Sequence, residues 1–445
     1  MLRIFINIGM LLCFFCASCF STSNQIGDEE ISLCTNAVEL SSSGDLDQLI
    51  TQCEGSKLVL LGESTHGTAE FYHWRGEISK RLIAEKGFNF IVVEGDWASI
   101  YKLNLYVKGI SEEFDTAREI LETFNRWPEW MWGNMEVERL AEWLKDFNTE
   151  RPLEDRAGFY GMDVYGQWEA MGQVVRLVEK FIPHALEEVK ERFGCFTAYD
   201  YDEWQYAQAV AQGYPACNEQ LEWVVELIKG QVESVECPKD RKKLLHAKQS
   251  ALVVKNSEDF YRLAVRDNVA SWNSRASHMH NTTQHLLKIH GDNSRGIVWA
   301  HNTHIGDARA TGMNQQGMHN IGQLSRETLG EDNVTLVGFT TYKGRVNAGA
   351  RWGAIMARMR IPAAKEGSVE SILKECGMDA FYTIFDDRIK SLPQLQNPIG
   401  HRAIGVVYNP STERMHNYVP SILPKRYDAI VFIKNSNPLE AVRRF

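Results

Sequence analysis

Apolar residues along this chain gather into short unbroken runs, and each run stops at a turn residue, a carboxylate or an imidazole. The first, Leu58-Val-Leu-Leu61, leads into Gly62 and then Glu63-Ser64-Thr65-His66-Gly67. A continuous apolar run closed by glycine predicts a buried strand. Thr68 is placed to cap a helix over Ala69–Lys86, whose apolar residues recur at helical spacing. Glu63 and His66 are therefore expected in a strand–loop–helix turn, where open α/β sheets gather their chemistry.

The layout repeats. Phe88–Val93 runs into Glu94-Gly95-Asp96-Trp97, Gly158–Met162 into Asp163, and Arg295–Ala300 into His301-Asn302-Thr303-His304. Further strands are predicted at Val334–Thr341, Ala380–Ile384, Ala403–Tyr408 and Ala429–Ile433. Helical patterns fall at Ala98–Val107, Asp115–Phe124 and Glu136–Asn148, and around Asn320–Leu329. Strands alternating with helices predict an α/β fold with a mostly parallel central sheet flanked by helices. From about residue 167 to 290 strand-like runs are nearly absent, which predicts a long helical insertion. Its ionisable residues are expected on solvated helix faces.

Carboxyl ends of parallel strands lie along one edge of a sheet. Glu63/His66, Glu94, Asp163 and His301/His304 are thus expected to converge on one cleft. A histidine titrating near neutrality can take a proton from water, and a neighbouring carboxylate can fix its tautomer. A second histidine or an arginine could stabilise the oxyanion that forms when that water attacks a carbonyl. Arg75 could reach back toward such a site, although its spacing alone favours an ordinary helix-surface charge. Ser64 departs from the G-x-S-x-G elbow at its last position, and the elbow occurs nowhere else in the chain. A covalent serine hydrolase is therefore disfavoured. Glu63-x-x-His66 and His301-x-x-His304 offer donors that zinc accepts, but neither is the helical H-E-x-x-H pattern. No cofactor is expected, with a divalent metal on the same cleft as the alternative.

Composition narrows the partners. With 445 residues and 44% hydrophobic content the chain can bury the core of one large domain carrying an insertion. A formal charge of -10 argues against nucleic acid or an anionic membrane surface. Tryptophans cluster near Trp127–Trp132, an aromatic wall suited to a bulky apolar or sugar-bearing ligand. Such a wall would also serve a non-catalytic envelope protein that binds sugars or antibiotics. Trp97, Trp130 and Asp163 are the expected substrate contacts.

Met1-Leu-Arg3 followed by the apolar run Ile4–Phe20, with small residues at its end, predicts a signal peptide over residues 1–19. A linker is expected over 20–34 and the α/β domain over 35–445. Ala17-Ser18-Cys19 resembles the end of a lipoprotein signal, so a lipid on Cys19 is the alternative to simple cleavage. No later segment is apolar enough to span a membrane, so the mature protein is expected to be exported, periplasmic or secreted, without a stable span. Cys34, Cys53, Cys195, Cys217, Cys237 and Cys376 remain for disulfides. Cys34–Cys53, and Cys195–Cys217 or Cys217–Cys237, are candidate local bridges. Asn281-Thr-Thr and Asn333-Val-Thr fit the glycosylation acceptor pattern, which matters in a eukaryotic secretory host.

Five stretches together resemble the erythromycin esterase family. They are Gly62–Gly67, Glu70-Phe71-Tyr72 with Arg75, Val93–Trp97, Gly161-Met162-Asp163 and Ala300–His304, with Asn320–Leu324 and Val337-Gly338-Phe339 also similar. The resemblance runs from about residue 35 to the C-terminus. It implies an α/β core with a helical insertion and hydrolysis of a macrolide's lactone ester by activated water. It further implies His66 as general base, Glu63 and Glu94 orienting it, and Arg75, His301 and His304 completing the cleft. The expected partner is a small-molecule ester, a macrolide or a related compound.

Overall fold

The computed structural model describes Cys34 and residues 36–443. The predicted leader, Cys19 and nearly all of the linker lie outside the described residues.

Eleven strands are described: β1 (Val38–Glu39), β2 (Leu58–Leu61), β3 (Phe90–Asp96), β4 (Gly158–Asp163), β5 (Gly296–Trp299), β6 (Val334–Ala348), β7 (Ala357–Ile361), β8 (Ala380–Ile384), β9 (Ile399–Arg402), β10 (Tyr418–Ser421) and β11 (Ala429–Ser436). The main sheet has the order β1-β8-β11-β6-β2-β5-β3-β4, with β7 paired to the far part of β6. From β11 through β4 the neighbours are parallel. The β8 and β1 edge is antiparallel, and β9 and β10 form a separate antiparallel pair.

Side-chain alternation divides each central strand between two cores. Leu58, Leu60, Phe90 and Val92 pack on one face, and Val59, Leu61, Ile91 and Val93 on the other. A parallel sheet covered on both faces needs apolar residues at nearly every position, which is why the runs are unbroken in the sequence. The helix Ala69–Lys86 starts after Thr68 and ends at Gly87, which adopts φ 69°.

Between Asp163 and Gly296 the described chain contains helices and no strand. The last of these helices, Asn268–His290, packs back against β4 and so reaches the sheet's working edge.

Two local expectations fail, and one of two alternative bridges is chosen. Ala403–Tyr408 makes only isolated bridges, Ile404 to Thr65 and Val407 to Gly349, because its neighbours are loops rather than a strand. Cys34 bonds to Cys376 rather than Cys53, since pairing of β1 with β8 carries the start of the domain to that edge. Cys195 bonds to Cys217, which leaves Cys237 free and exposed. Cys53 is a free buried thiol, and burial pushes its pKa up to about 12. Among the described residues no helix is long and apolar enough to cross a membrane.

Candidate active site

The four strand exits singled out in the sequence belong to β2, β5, β3 and β4, which are consecutive in the sheet. Their loops therefore meet without help from distant elements. Gly62 and Gly67 permit this meeting. A side chain at Gly62 would strike Asn302 Oδ1, and one at Gly67 would strike the backbone of Asn347. The intervening loop is tied down through its carbonyls: Asn302 N–H donates to Glu63 O at 2.8 Å and Ile404 N–H to Ser64 O at 2.7 Å. Ser64 is fully buried and its hydroxyl has no partner, consistent with a turn residue rather than a nucleophile.

Glu63 is completely buried and commits one oxygen to each neighbour. Oε1 lies 2.9 Å from His66 Nδ1, and Oε2 accepts from Arg75 Nη2 at 2.8 Å. Arg75 is not a surface charge. It is fully buried, its guanidinium 4.3 Å from the Tyr72 ring centroid and 4.7 Å from that of Trp299. It does not line the cleft and acts through Glu63. His66 lines the cleft, and Nδ1 bound to a carboxylate leaves Nε2 as the basic atom. Burial works against a charged imidazole, but the hydrogen bond to Glu63 and the charge of Glu94 prevail and raise the His66 pKa above 6.5.

A second ionic group faces the first. Arg275, from the helix Asn268–His290, donates Nε to Asp163 Oδ1 at 2.8 Å and Nη2 to Asp163 Oδ2 at 2.6 Å. The same Nη2 lies 2.8 Å from Glu94 Oε1, and Nη1 lies 3.2 Å from His304 Nε2. Glu94 Oε2 accepts the His301 N–H at 2.9 Å. Burial alone would raise the Glu94 pKa; His304, His66 and Arg275 beside it hold it well below the usual carboxylate range. The His304 ring stacks on Trp272 with centroids 4.6 Å apart. The backbone N–H of Thr303 donates to His301 Nδ1 at 3.3 Å, which assigns the ring proton to Nε2. Burial and the neighbouring His66 keep His301 neutral, its pKa well below 6.5.

Arg275 is the residue that the sequence reading missed, having assigned this region to solvated faces. One signal was present: from Asn268 to Leu287 it is the only Asp, Glu, Lys or Arg.

These groups line a cleft of about 750 Å³, walled by Trp127, Trp132, Trp272, Trp352, Tyr165 and Tyr261. That is in the upper part of the size range of small-molecule sites. A side pocket of about 390 Å³ opens beyond Trp272 and Arg275, with Trp204 and Phe260 in its wall. Trp97 and Trp130, expected at the substrate, line neither space. Trp97 stacks on Tyr160 and His246 in the core, and Trp130 is 1% exposed. Asp163 does border the cleft, but Arg275 takes both of its oxygens. Arg126 reaches Asp96 at 3.0 Å, and burial pushes the Asp96 pKa up to about 7 against that attraction.

Glu63, Glu94 and Asp163 are each bonded to a guanidinium, and the described residues contain no group of three His, Cys, Asp or Glu side chains arranged to hold an ion.

A family model described as erythromycin esterase matches residues 83–436. Erythromycin esterase type II of Escherichia coli is 21% identical over 411 residues, covering 87% of this chain and 91% of that protein. A solved structure of a succinoglycan biosynthesis protein superposes with a TM-score of 0.77 at 20% identity, over 94% of this chain and 100% of that one. A Bacillus cereus protein gives 0.75 at 19%, over 94% and 99%. A mutant of the erythromycin esterase EreC in its open conformation gives 0.63 at 16%, over 92% and 99%. These structural likenesses establish the fold.

Proposed function

This chain belongs to the erythromycin esterase family, and from that premise we propose that it hydrolyses a bulky ester, of which a macrolide lactone is one example, by attack of water activated at His66. Family membership supports ester hydrolysis as the broad activity. The observation that carries the finer reading is the Glu63–His66 pair, with Nε2 left to the cleft and two further charged clamps around it.

His66 Nε2 takes a proton as the water oxygen attacks the acyl carbon, and Glu63 stabilises the imidazolium. The carbonyl oxygen becomes an oxyanion, which the neutral His301 ring at the cleft wall is placed to stabilise. On collapse the carbon–oxygen bond to the alcohol breaks, and the alkoxide recovers the proton from His66. The products are a carboxylic acid and an alcohol, joined in one chain when the substrate is a lactone. Glu94, held by Arg275, keeps negative charge beside the imidazolium. No step uses Ser64.

The aromatic cleft with its side pocket suits a large ester carrying an apolar or sugar-like portion. A binding protein without turnover has the same use for the aromatic wall, but no use for a base held by a buried carboxylate. Export is part of the proposal, resting on the leader pattern, and the two disulfides accord with an oxidising compartment.

Mass spectrometry of macrolides, erythromycin included, after incubation with the wild type and with His66→Ala tests this reading. A gain of one water that disappears in His66→Ala is expected. Turnover unchanged by that substitution would overturn it.

A further inference from the structure

The side pocket beyond Trp272 and Arg275 takes no part in the mechanism above. It shares Tyr165, Trp204, Tyr261, Trp272, Arg275 and Trp352 with the cleft, so one molecule can occupy both spaces. Edge-to-face ring contacts hold its wall. Phe260 meets Tyr165 and Tyr261 with centroids 5.5 and 5.1 Å apart, and Trp204 meets Tyr261 at 5.2 Å. The shape is therefore built before anything enters. Ala264, the last residue of the helix Pro238–Ala264, supplies a small side chain to the same wall.

Most polar groups of this pocket are already engaged. Ser271 Oγ donates to Asn268 O at 3.1 Å, and Trp272 Nε1 to His319 O at 2.7 Å. Arg275 is held by Asp163, Glu94 and His304, and among the described residues that line the pocket there is no carboxylate. Left over are the hydroxyls of Tyr165 and Tyr261, kept neutral by burial, and at the rim the Asn268 amide and the indole N–H groups of Trp204 and Trp352. A sugar entering here would leave several hydroxyls without partners, which is costly, whereas an apolar group gains by leaving water. Two exposed rings favour the same occupant. Trp204 is 44% and Trp352 61% exposed, and a group seated in the pocket would cover both.

We propose that the side pocket is a subsite for an apolar, ring-bearing portion of the same ester whose acyl carbon lies at His66, and that it sets which esters are turned over. The role in turnover rests on the proposed hydrolase reading; the apolar subsite itself does not. The partition between the two spaces supports the link. Trp272 lines both, and its ring stacks on that of His304 with centroids 4.6 Å apart and planes within 7°. A group held in the side pocket therefore rests against a ring that touches a histidine of the cleft. Contacts made away from the reacting carbon raise kcat/KM when they persist in the transition state, by about fourfold for each methylene removed from water.

The test compares the full-length wild type with Ala264→Trp, which fills the pocket, and Trp204→Ala, which removes part of its wall, each checked for folding by circular dichroism. Equilibrium dialysis measures binding of 2-naphthol and, as a polar comparison, methyl β-glucoside. Turnover is followed for ethyl acetate, ethyl 4-phenylbutyrate and 4-phenylbutyl acetate, which carry the ring on neither side, the acyl side and the alcohol side of the ester. Saturable binding of 2-naphthol by the wild type is expected, weakened about tenfold or more in both variants. The kcat/KM of the preferred ring-bearing ester relative to ethyl acetate should fall by a similar factor in Ala264→Trp. Binding of 2-naphthol that is absent from the wild type, or unchanged in Ala264→Trp, would overturn the proposal. Methyl β-glucoside binding that Ala264→Trp abolishes while 2-naphthol binding persists would overturn the apolar assignment. If Ala264→Trp does not fold, Ala264→Leu and Trp204→Ala decide. A wild type that binds 2-naphthol in the pocket but hydrolyses no ester removes the hydrolase reading and leaves the subsite intact.

Discussion

Glu63 holds His66 and Arg75 at once, with one oxygen 2.9 Å from the imidazole Nδ1 and the other 2.8 Å from the guanidinium. The pairing makes a rigid base from three residues within one turn and the helix that follows it. Glu63→Gln keeps the shape but loses the charge that stabilises the imidazolium. A fall in kcat of about 100-fold or more is expected, in the range for general-base catalysis, with KM little changed. Steady-state kinetics on any ester the wild type turns over would check this.

The acid limb of the rate profile should lie above the ordinary histidine value. His66 must be neutral to accept a proton, and its pKa is raised above 6.5, so kcat/KM should climb with pH through that raised value. The same shift affects stability. Folding tightens proton binding at His66, so its contribution is complete below about 6.5 and is lost as pH rises through the folded value. An acid limb at or below 6.5 would contradict the geometry.

Arg275 is expected to be costly to remove on both counts. Arg275→Gln leaves Glu94 and Asp163 buried beside each other without their cation. A loss of about 3 to 5 kcal/mol in denaturant unfolding is the usual size for breaking such a buried group. Activity should fall in the fraction that stays folded. Arg275→Lys keeps a charge but not the fork that spans the two carboxylates, and should recover stability more than activity.

The tryptophans should separate by role. Trp97→Ala should destabilise by about 3 to 5 kcal/mol, as for a large core aromatic. Trp272→Ala should chiefly change KM and kcat, since Trp272 lines the cleft and stacks on His304. Equal effects on stability from both substitutions would contradict the assignment.

Asp96 provides a second pH test of opposite chemistry. Its carboxyl is pushed up to about 7, so the folded protein takes up a proton that the unfolded chain would release. Stability from this group is complete below about 3.8, its ordinary value, and falls as pH rises toward 7. Asp96→Asn should therefore flatten the decline in melting temperature between about pH 4 and about pH 7. An unchanged decline would count against it.

The sequence by itself determined the sheet and its working edge. Unbroken apolar runs are the direct consequence of burying both faces of a parallel sheet, and the polar residues at their ends follow from where such strands stop. Glu63, His66, Glu94, Asp163, His301 and His304 were legible for that reason, as was the similarity of the motifs around them. Long-range placement was left to the tertiary structure. Arg275 joins the cleft only because a distant helix returns to β4, and Arg75 is buried only because Tyr72 and Trp299 close around it. Cys34 finds Cys376 across 342 positions through strand pairing, while the nearer Cys53 is turned into the core. Trp97 and Trp130 sit beside site residues in sequence, yet helix direction sends their rings inward. A run of residue types fixes what an element buries; which distant element it then faces is decided by packing, and that sets the partners of every charge in the cleft.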